Sequence, residues 1–196
     1  MWLATRWDAL PERWIVHWGP GGVPNGYASK TLGGVFGPLL LAAVLAVFLE
    51  LLAMLLERIS RARFPRLARA YGNFLRWLSI GLVGSICAAA VLLPSRTPPP
   101  GRLMAGVLLG SVGLAVVVGL AGLISATREM AAEGQSLPKG YSALFYRNAD
   151  DPRIFVPKLV GVGWTLNFAH PIAWLVLAVV LLPAVVALIA ALATAG

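Results

Sequence analysis

Three observations predict an all-α integral membrane protein of four transmembrane helices with a small cytoplasmic β-hairpin insertion. Four apolar runs each approach the roughly 20 residues a helix needs to cross the hydrocarbon core. Only 12% of the 196 residues are charged and 59% are hydrophobic, whereas a soluble domain carries about 25% charged residues. Between the third and fourth runs lies a polar, aromatic stretch unlike its flanks, LFYRNADDPRIFVPKLVGVGWTLNFAHP, residues 144–171.

Residues 1–31 read as an extracytoplasmic, Trp-rich interfacial segment. Trp2, Trp7, Trp14 and Trp18 belong to the chain's seven tryptophans, and amphipathic rings favour the membrane–water boundary. Leu3, Trp7, Leu10 and Trp14 follow helical spacing, so part of the segment is expected to lie flat on a bilayer, with Pro11 breaking any single long helix. Gly19-Pro20-Gly21-Gly22 and Pro24-Asn25-Gly26 are turn signals, and Asn25-Gly26 suits a tight turn with positive φ. The opening residues lack the apolar core of a cleavable signal peptide.

Residues 32–125 are expected to hold three transmembrane helices, Leu32 to Leu56, Phe74 to Leu93 and Leu103 to Ser125, with an Arg-rich cytoplasmic loop at 57–71. Glu50 falls inside the first span. An ionisable group at that depth is a site hypothesis by default; the alternative is that it snorkels or pairs with an arginine. Gly106, Gly110 and Gly113, with Gly119 and Gly122 beyond them, give the third helix small-residue faces, expected to pack against neighbouring helices of the same chain, with dimerisation as the alternative. The last span is Pro171 to Ala193, within the segment 171–196. Pro171 suits a first helical turn, and Pro183 is expected to kink the helix.

Basic residues set the orientation. Arg58, Arg61, Arg63, Arg66 and Arg69 follow the first span, and Arg128, Lys139, Arg147, Arg153 and Lys158 follow the third. The Pro-rich loop after the second span carries only Arg96 and Arg102. The positive-inside rule therefore places the first and third loops in the cytoplasm and both termini outside. The net charge of +8 sits beside apolar runs. This points to anionic lipid headgroups at the five arginines, not to nucleic acid. The single cysteine, Cys87, permits no disulfide within the chain.

The cytoplasmic loop 126–170 is where the chemistry gathers. Asn148 and Asp150-Asp151-Pro152 predict an Asx-type turn. Ile154 to Val156 and Trp164 to Leu166 read as two short strands around Gly161-Val162-Gly163, with Phe155, Trp164 and Phe168 facing the membrane. Asn167 and His170 stand where the last helix begins and are read as cap candidates. Asp150, Asp151 and His170 match no zinc or calcium spacing, so no metal and no cofactor are expected. No GxSxG or HExxH is present, and Gly161-Val162-Gly163 opens no helix as a dinucleotide fingerprint would. The chain is therefore read as a non-enzyme.

Two blocks carry a resemblance. The first runs Leu10-Pro11-Glu12-Arg13-Trp14-Ile15-Val16-His17-Trp18-Gly19 and on through Pro24-Asn25-Gly26 to Lys30. The second comprises Tyr146-Arg147-Asn148-Ala149-Asp150-Asp151-Pro152-Arg153, Phe155-Val156-Pro157-Lys158 and Gly161-Val162-Gly163-Trp164-Thr165-Leu166-Asn167-Phe168. They resemble two uncharacterised domains found together in bacterial membrane proteins of the Sdp-type immunity and signal-transduction-like family. Members of that family carry a helix ahead of the first motif and often six spans, where four are read here. The expectation is that such a helix was lost, or that partners hold the N-terminal segment.

The resemblance implies a bacterial cytoplasmic membrane protein that works by protein–protein contact, in peptide-toxin immunity or signalling. The outer motif would then present Trp14, His17, Trp18, Asn25, Gly26 and Lys30 to a peptide ligand or partner. The inner motif would present Asn148, Asp151, Pro152, Arg153, Lys158, Gly163, Trp164, Asn167 and His170. Two other classes stand beside it. The chain could be an accessory structural subunit packed against other membrane protein subunits, or a small transporter using Glu50.

Overall fold

The computed structural model of the protein describes residues 2–19, 23–94 and 101–193. Helix α1 (Trp2–Thr5) and a 3₁₀ turn (Trp7–Ala9) lead into an antiparallel hairpin of β1 (Arg13–Trp18) and β2 (Pro24–Ser29). Three long helices follow, α2 (Leu32–Ser60), α3 (Pro65–Leu92) and α4 (Gly101–Ala132). A second antiparallel hairpin, β3 (Phe155–Pro157) with β4 (Trp164–Leu166), precedes α5 (Pro171–Ala193). The turn signal Pro20–Gly22, most of the Pro-rich loop (95–100, with Arg96) and residues 194–196 lie outside the described residues.

Helices α2 and α3 and the stretch Leu103–Ala132 of α4 are long and apolar enough to cross a membrane, and in α5 the stretch Pro171–Pro183 is a shorter apolar helix. At 1.5 Å per residue, roughly 20 residues cover the hydrocarbon core. Helices of 29, 28 and 32 residues exceed it, so each carries polar residues in helical conformation at an end.

That excess corrects the expected Arg-rich loop at 57–71. Helix α3 starts at Pro65, not at Phe74, and only the short turn around Arg61–Phe64 separates it from α2. Proline is suited to a first helical position because its missing N–H would be unpaired there anyway. Leu67 and Ala68 are buried while Arg69 of the same turn is exposed. The arginines decorate an amphipathic helical turn that reads as loop when only uninterrupted apolar runs are counted.

The N-terminal segment is also corrected. Leu3, Trp7, Leu10 and Trp14 do not lie along one helix, yet Leu3, Leu10 and Trp14 are buried together with Val35 and Leu93, and Trp7 packs on the cluster. Trp7 stacks on Phe36 with ring centroids 6.3 Å apart. Asn25-Gly26 forms no positive-φ turn: both residues lie in β2. The chain reverses between Gly19, whose N–H donates to the Val23 carbonyl at 2.8 Å, and β2.

The chain forms two compact units. The first, Met1–Phe48 with Leu78–Ala115 and Ala187–Gly196, holds the N-terminal hairpin and its cluster. Within it Ser85 Oγ donates to the Gly81 carbonyl at 2.6 Å and meets Ser111 Oγ at 2.5 Å. Gly81 lets α3 and α4 approach, since a Cβ there would lie 2.9 Å from the Ser111 carbonyl oxygen. Gly106, Gly110 and Gly113, expected to pack inside the chain, face open space: a Cβ added at any of them would meet no heavy atom within 4 Å among the described residues. The close approaches of α3 and α4 fall at Gly81 and, in the second unit, at Gly119, where a Cβ would overlap the Phe74 ring. The second unit, Leu49–Trp77 with Val116–Val186, buries Leu67, Leu123, Met130, Ala143 and Val160 together.

Candidate functional site

In the second unit the stretch 141–170 is tied into a closed network. Asn167 is fully buried. Its Oδ1 accepts the Asn148 and Ala169 backbone N–H groups at 3.0 and 3.2 Å, and its Nδ2 donates to the Asn148 and Asp151 carbonyls at 2.8 and 3.0 Å. A side-chain amide has both donors and acceptors, and here both ends are in use. His170 Nε2 bonds the Asp151 carbonyl at 2.7 Å. Neither side chain therefore caps α5 in the manner expected; both reach back to the 148–151 turn. Sequence spacing marks their position but not this direction.

The Asx turns expected at Asn148 and Asp151 form. Asn148 Oδ1 accepts the Asp150 N–H at 3.1 Å, and Asp151 Oδ1 accepts the Arg153 N–H at 3.1 Å. Arg153 also forks the Asp151 carboxylate, Nε to Oδ1 at 2.9 Å and Nη2 to Oδ2 at 2.7 Å, and the Tyr146 hydroxyl donates to Oδ2 at 2.9 Å. The Arg153 guanidinium, followed by its backbone N–H, holds the Asp151 carboxyl well below the usual carboxylate range, with burial acting against it and Tyr146 adding to it. The same pairing raises Arg153. A carboxylate with every oxygen in use and a fully paired amide are fixed structural groups, not a base awaiting a substrate. Pro152, next to this knot, is exposed.

The hairpin above it forms as the strand pattern predicts, with Val156 fully buried and Phe155 and Trp164 exposed. Burying such a valine contributes roughly 1.5–3 kcal/mol. Gly161 and Gly163 adopt φ of 81° and 106°, a region that glycine enters without steric cost. The Gly161 N–H donates to Ser60 Oγ at 2.9 Å, pinning the turn to the end of α2. Phe168 packs edge-on against Phe145 and Trp174 at 6.1 and 5.0 Å. Lys158 is exposed beside this turn.

Glu50 lies in a cluster whose other members the apolar runs alone do not reveal. Arg76 of α3 donates from Nε and Nη2 to the Glu50 carboxylate at 3.0–3.2 Å, from Nη1 to Glu57 at 2.7 Å, and to Asn73 Oδ1 at 3.1 Å. A signal exists: Arg76 sits inside an apolar run, where an unpaired cation is costly. Of the loop arginines, Arg66 pairs with Glu133 at 2.5 Å, while Arg58, Arg61, Arg63 and Arg69 are exposed.

In the first unit the hairpin buries Trp14, half-buries Trp18 beside Gly101, and leaves a polar outer face. On that face His17 Nδ1 meets Asn25 Oδ1 at 2.5 Å. Arg13 lies 4.3 Å over the Tyr27 ring. Gly26 opposes His17 across the strands, and a Cβ there would lie 2.6 Å from that of His17. Lys30 bonds Glu12 at 3.3 Å.

Residues 1–42 match a domain of unknown function (DUF1648), and residues 149–174 match a family of unknown function (DUF5808). The first match takes in the whole N-terminal hairpin, and the second takes in Asp151, Arg153, Asn167 and His170. No curated protein and no solved structure matches the chain.

Proposed function

We propose that the protein is a non-enzymatic, multi-pass protein of a bacterial cytoplasmic membrane that acts by protein contact, through the outer face of the N-terminal hairpin. One observation supports this above others. The hairpin turns Trp14 inward and holds His17 and Asn25 together on its exposed side. A preformed polar pair on a rigid hairpin loses little freedom when a partner binds. In this reading α5 is the fourth span, the termini lie outside, and the 141–170 network braces the cytoplasmic ends. A peptide-toxin immunity or signalling role, as in the Sdp-type proteins, is the specific form the resemblance favours.

Extraction of the tagged full chain in mild detergent, then native gel separation and mass spectrometry, tests it. A co-migrating peptide or protein that is lost in His17→Ala and Asn25→Ala, at unchanged membrane levels, is the expected result. The same partners on both variants as on the parent chain would sink the reading.

A second reading, an accessory subunit of a larger complex, is favoured by the open face at Gly106, Gly110 and Gly113. In that case co-migration at fixed stoichiometry survives the hairpin substitutions and fails when Gly110 is enlarged. The transporter reading loses its motive, because Glu50 is paired with Arg76.

A further inference from the structure

Between the last turns of α2, the first turns of α3 and the second hairpin lies a cavity of about 260 Å³. Leu56, Leu144, Phe145, Leu159, Val160 and Val162 give it apolar walls. Four hydroxyls also line it. Three of them are already engaged: Tyr71 donates to the Ala143 carbonyl, Tyr141 to Pro157 at 2.7 Å and Ser142 to Phe145 at 2.9 Å. Among the described residues, two polar side chains of the lining meet no protein partner, the Lys158 ammonium and the Thr165 hydroxyl. They stand at adjoining places on the hairpin, since Val156 pairs with Thr165 and the Lys158 N–H donates to the Gly163 carbonyl at 3.0 Å.

We propose that this cavity binds the headgroup region of a single anionic phospholipid, its phosphate on Lys158 and Thr165 and its chains along Leu144, Phe145 and Val162. The inference rests on the membrane reading above and is independent of the partner at the outer hairpin. Charge and size select the occupant. A free cation beside a free hydroxyl matches a phosphate, which takes charge-assisted bonds from such donors. The volume falls short of the roughly 300–1,000 Å³ of pockets that enclose whole drug-sized ligands, so part of a molecule enters and the rest stays outside. The apolar side chains beside the opening are exposed, Leu144 at 45%, Phe145 at 47% and Val162 at 76%. They offer a surface for acyl chains where α2 and α3 leave the hydrocarbon. Both polar groups belong to the loop, not to the arginines expected to meet headgroups, so the site differs from a general basic surface.

The test uses the full chain, purified in detergent and exchanged with vesicles of phosphatidylglycerol or of phosphatidylcholine, and read by native mass spectrometry. One retained phosphatidylglycerol per chain is expected, with little phosphatidylcholine. Lys158→Gln is expected to lower retention about fivefold, the weight of roughly one basic residue at an anionic surface, and Thr165→Val by less. Arg147→Gln removes an exposed basic residue outside the cavity lining and leaves retention unchanged. Equal retention in Lys158→Gln and the parent, or equal loss in Arg147→Gln, overturns the proposal. So does displacement of the lipid by millimolar inorganic phosphate alone, which would assign the site to the free ion. Recovery of the chain in the soluble fraction after membranes are washed would instead remove the membrane reading on which the site depends.

Discussion

Gly72 of α3 leaves the space that the Glu57 carboxylate of α2 fills, and a Cβ at position 72 would overlap that carboxylate. Glu57 can yield only by swinging its end away, and its end is what Arg76 holds. Gly72→Ala therefore sets two effects against each other. Alanine gains about 1 kcal/mol of helix propensity over glycine, and the Arg76–Glu57 pair is lost. The expected result is a lower unfolding temperature in the parent chain and a higher one when Glu57→Ala is already present. A double-mutant cycle by thermal unfolding in detergent reads the sign change. Stabilisation by Gly72→Ala in both backgrounds would show that Glu57 moves without consequence.

Arg76 joins two carboxylates, and no single replacement serves both. Arg76→Ala leaves Glu50 and Glu57, two turns apart on α2, without their shared cation. With a third of the arginine side chain exposed, the loss is expected at about 1–3 kcal/mol. Arg76→Lys recovers part of it, because an ammonium cannot fork Glu50 and reach Glu57 and Asn73 in one geometry. Adding Glu50→Gln and Glu57→Gln to Arg76→Ala is expected to restore most of the stability. If the triple variant is as unstable as Arg76→Ala, repulsion between the carboxylates is not the cause.

The long apolar helices were legible because uninterrupted apolar runs have few other physical uses. Their ends were not, because the turns around Arg66 and Arg69 bury only Leu67 and Ala68 and so look like charged loop. The second hairpin was legible from β-branched and aromatic residues around two glycines that need positive φ. The first was hidden by tryptophans at helical spacing; of its two turn signals, the one beginning at Gly19 falls between the strands, and Asn25-Gly26 lies within β2. Within the network, Asn148 and Asp151 announced themselves through local Asx chemistry. The role of Asn167 depends on partners 16 and 19 positions away, and nothing local encodes such a contact. Arg76 is marked by its place inside an apolar run, but which carboxylates it holds is not, because they lie on another helix.

Asp151 should give the 141–170 network its acid sensitivity. Its pKa in the fold is depressed by Arg153, below the unfolded value of about 3.9. Its contribution is then complete above the unfolded value and is lost as pH falls toward the folded one. The Arg153 N–H donates to the carboxylate directly and is the amide to watch. Hydrogen-exchange protection there should hold from neutral pH to about pH 4 and fade below it. In Asp151→Asn it should already be weak at neutral pH and nearly flat. Asp150→Asn is the control. Its pairing with Lys139 lowers Asp150 too, but both side chains are more than three-quarters exposed, and exposed pairs contribute little. Parent-like protection in Asp151→Asn would assign the order of this turn to other bonds.

Asn167 is the residue whose change should open the loop block while leaving the long helices folded. Removing its side chain leaves two backbone N–H groups without their partner, while the Asn148 and Asp151 carbonyls each lose one donor and keep another, the Asp151 N–H and His170 Nε2. Each buried unpaired group costs about 1–3 kcal/mol, and water entering the opened turn offsets part of that. Asn167→Ala is therefore expected to make residues 135–170 sensitive to limited proteolysis, with helical content by circular dichroism nearly unchanged. Asn167→Asp is the sharper test. The carboxylate keeps both acceptor contacts but turns an oxygen toward the Asn148 and Asp151 carbonyls, where a donor is required. It should be at least as damaging as alanine. His170→Ala, which loses one contact to the same Asp151 carbonyl, should be milder. If Asn167→Asp resists protease like the parent chain, the two donor bonds contribute nothing, and the order of this segment must come from the buried Val156 and Val160 beneath it.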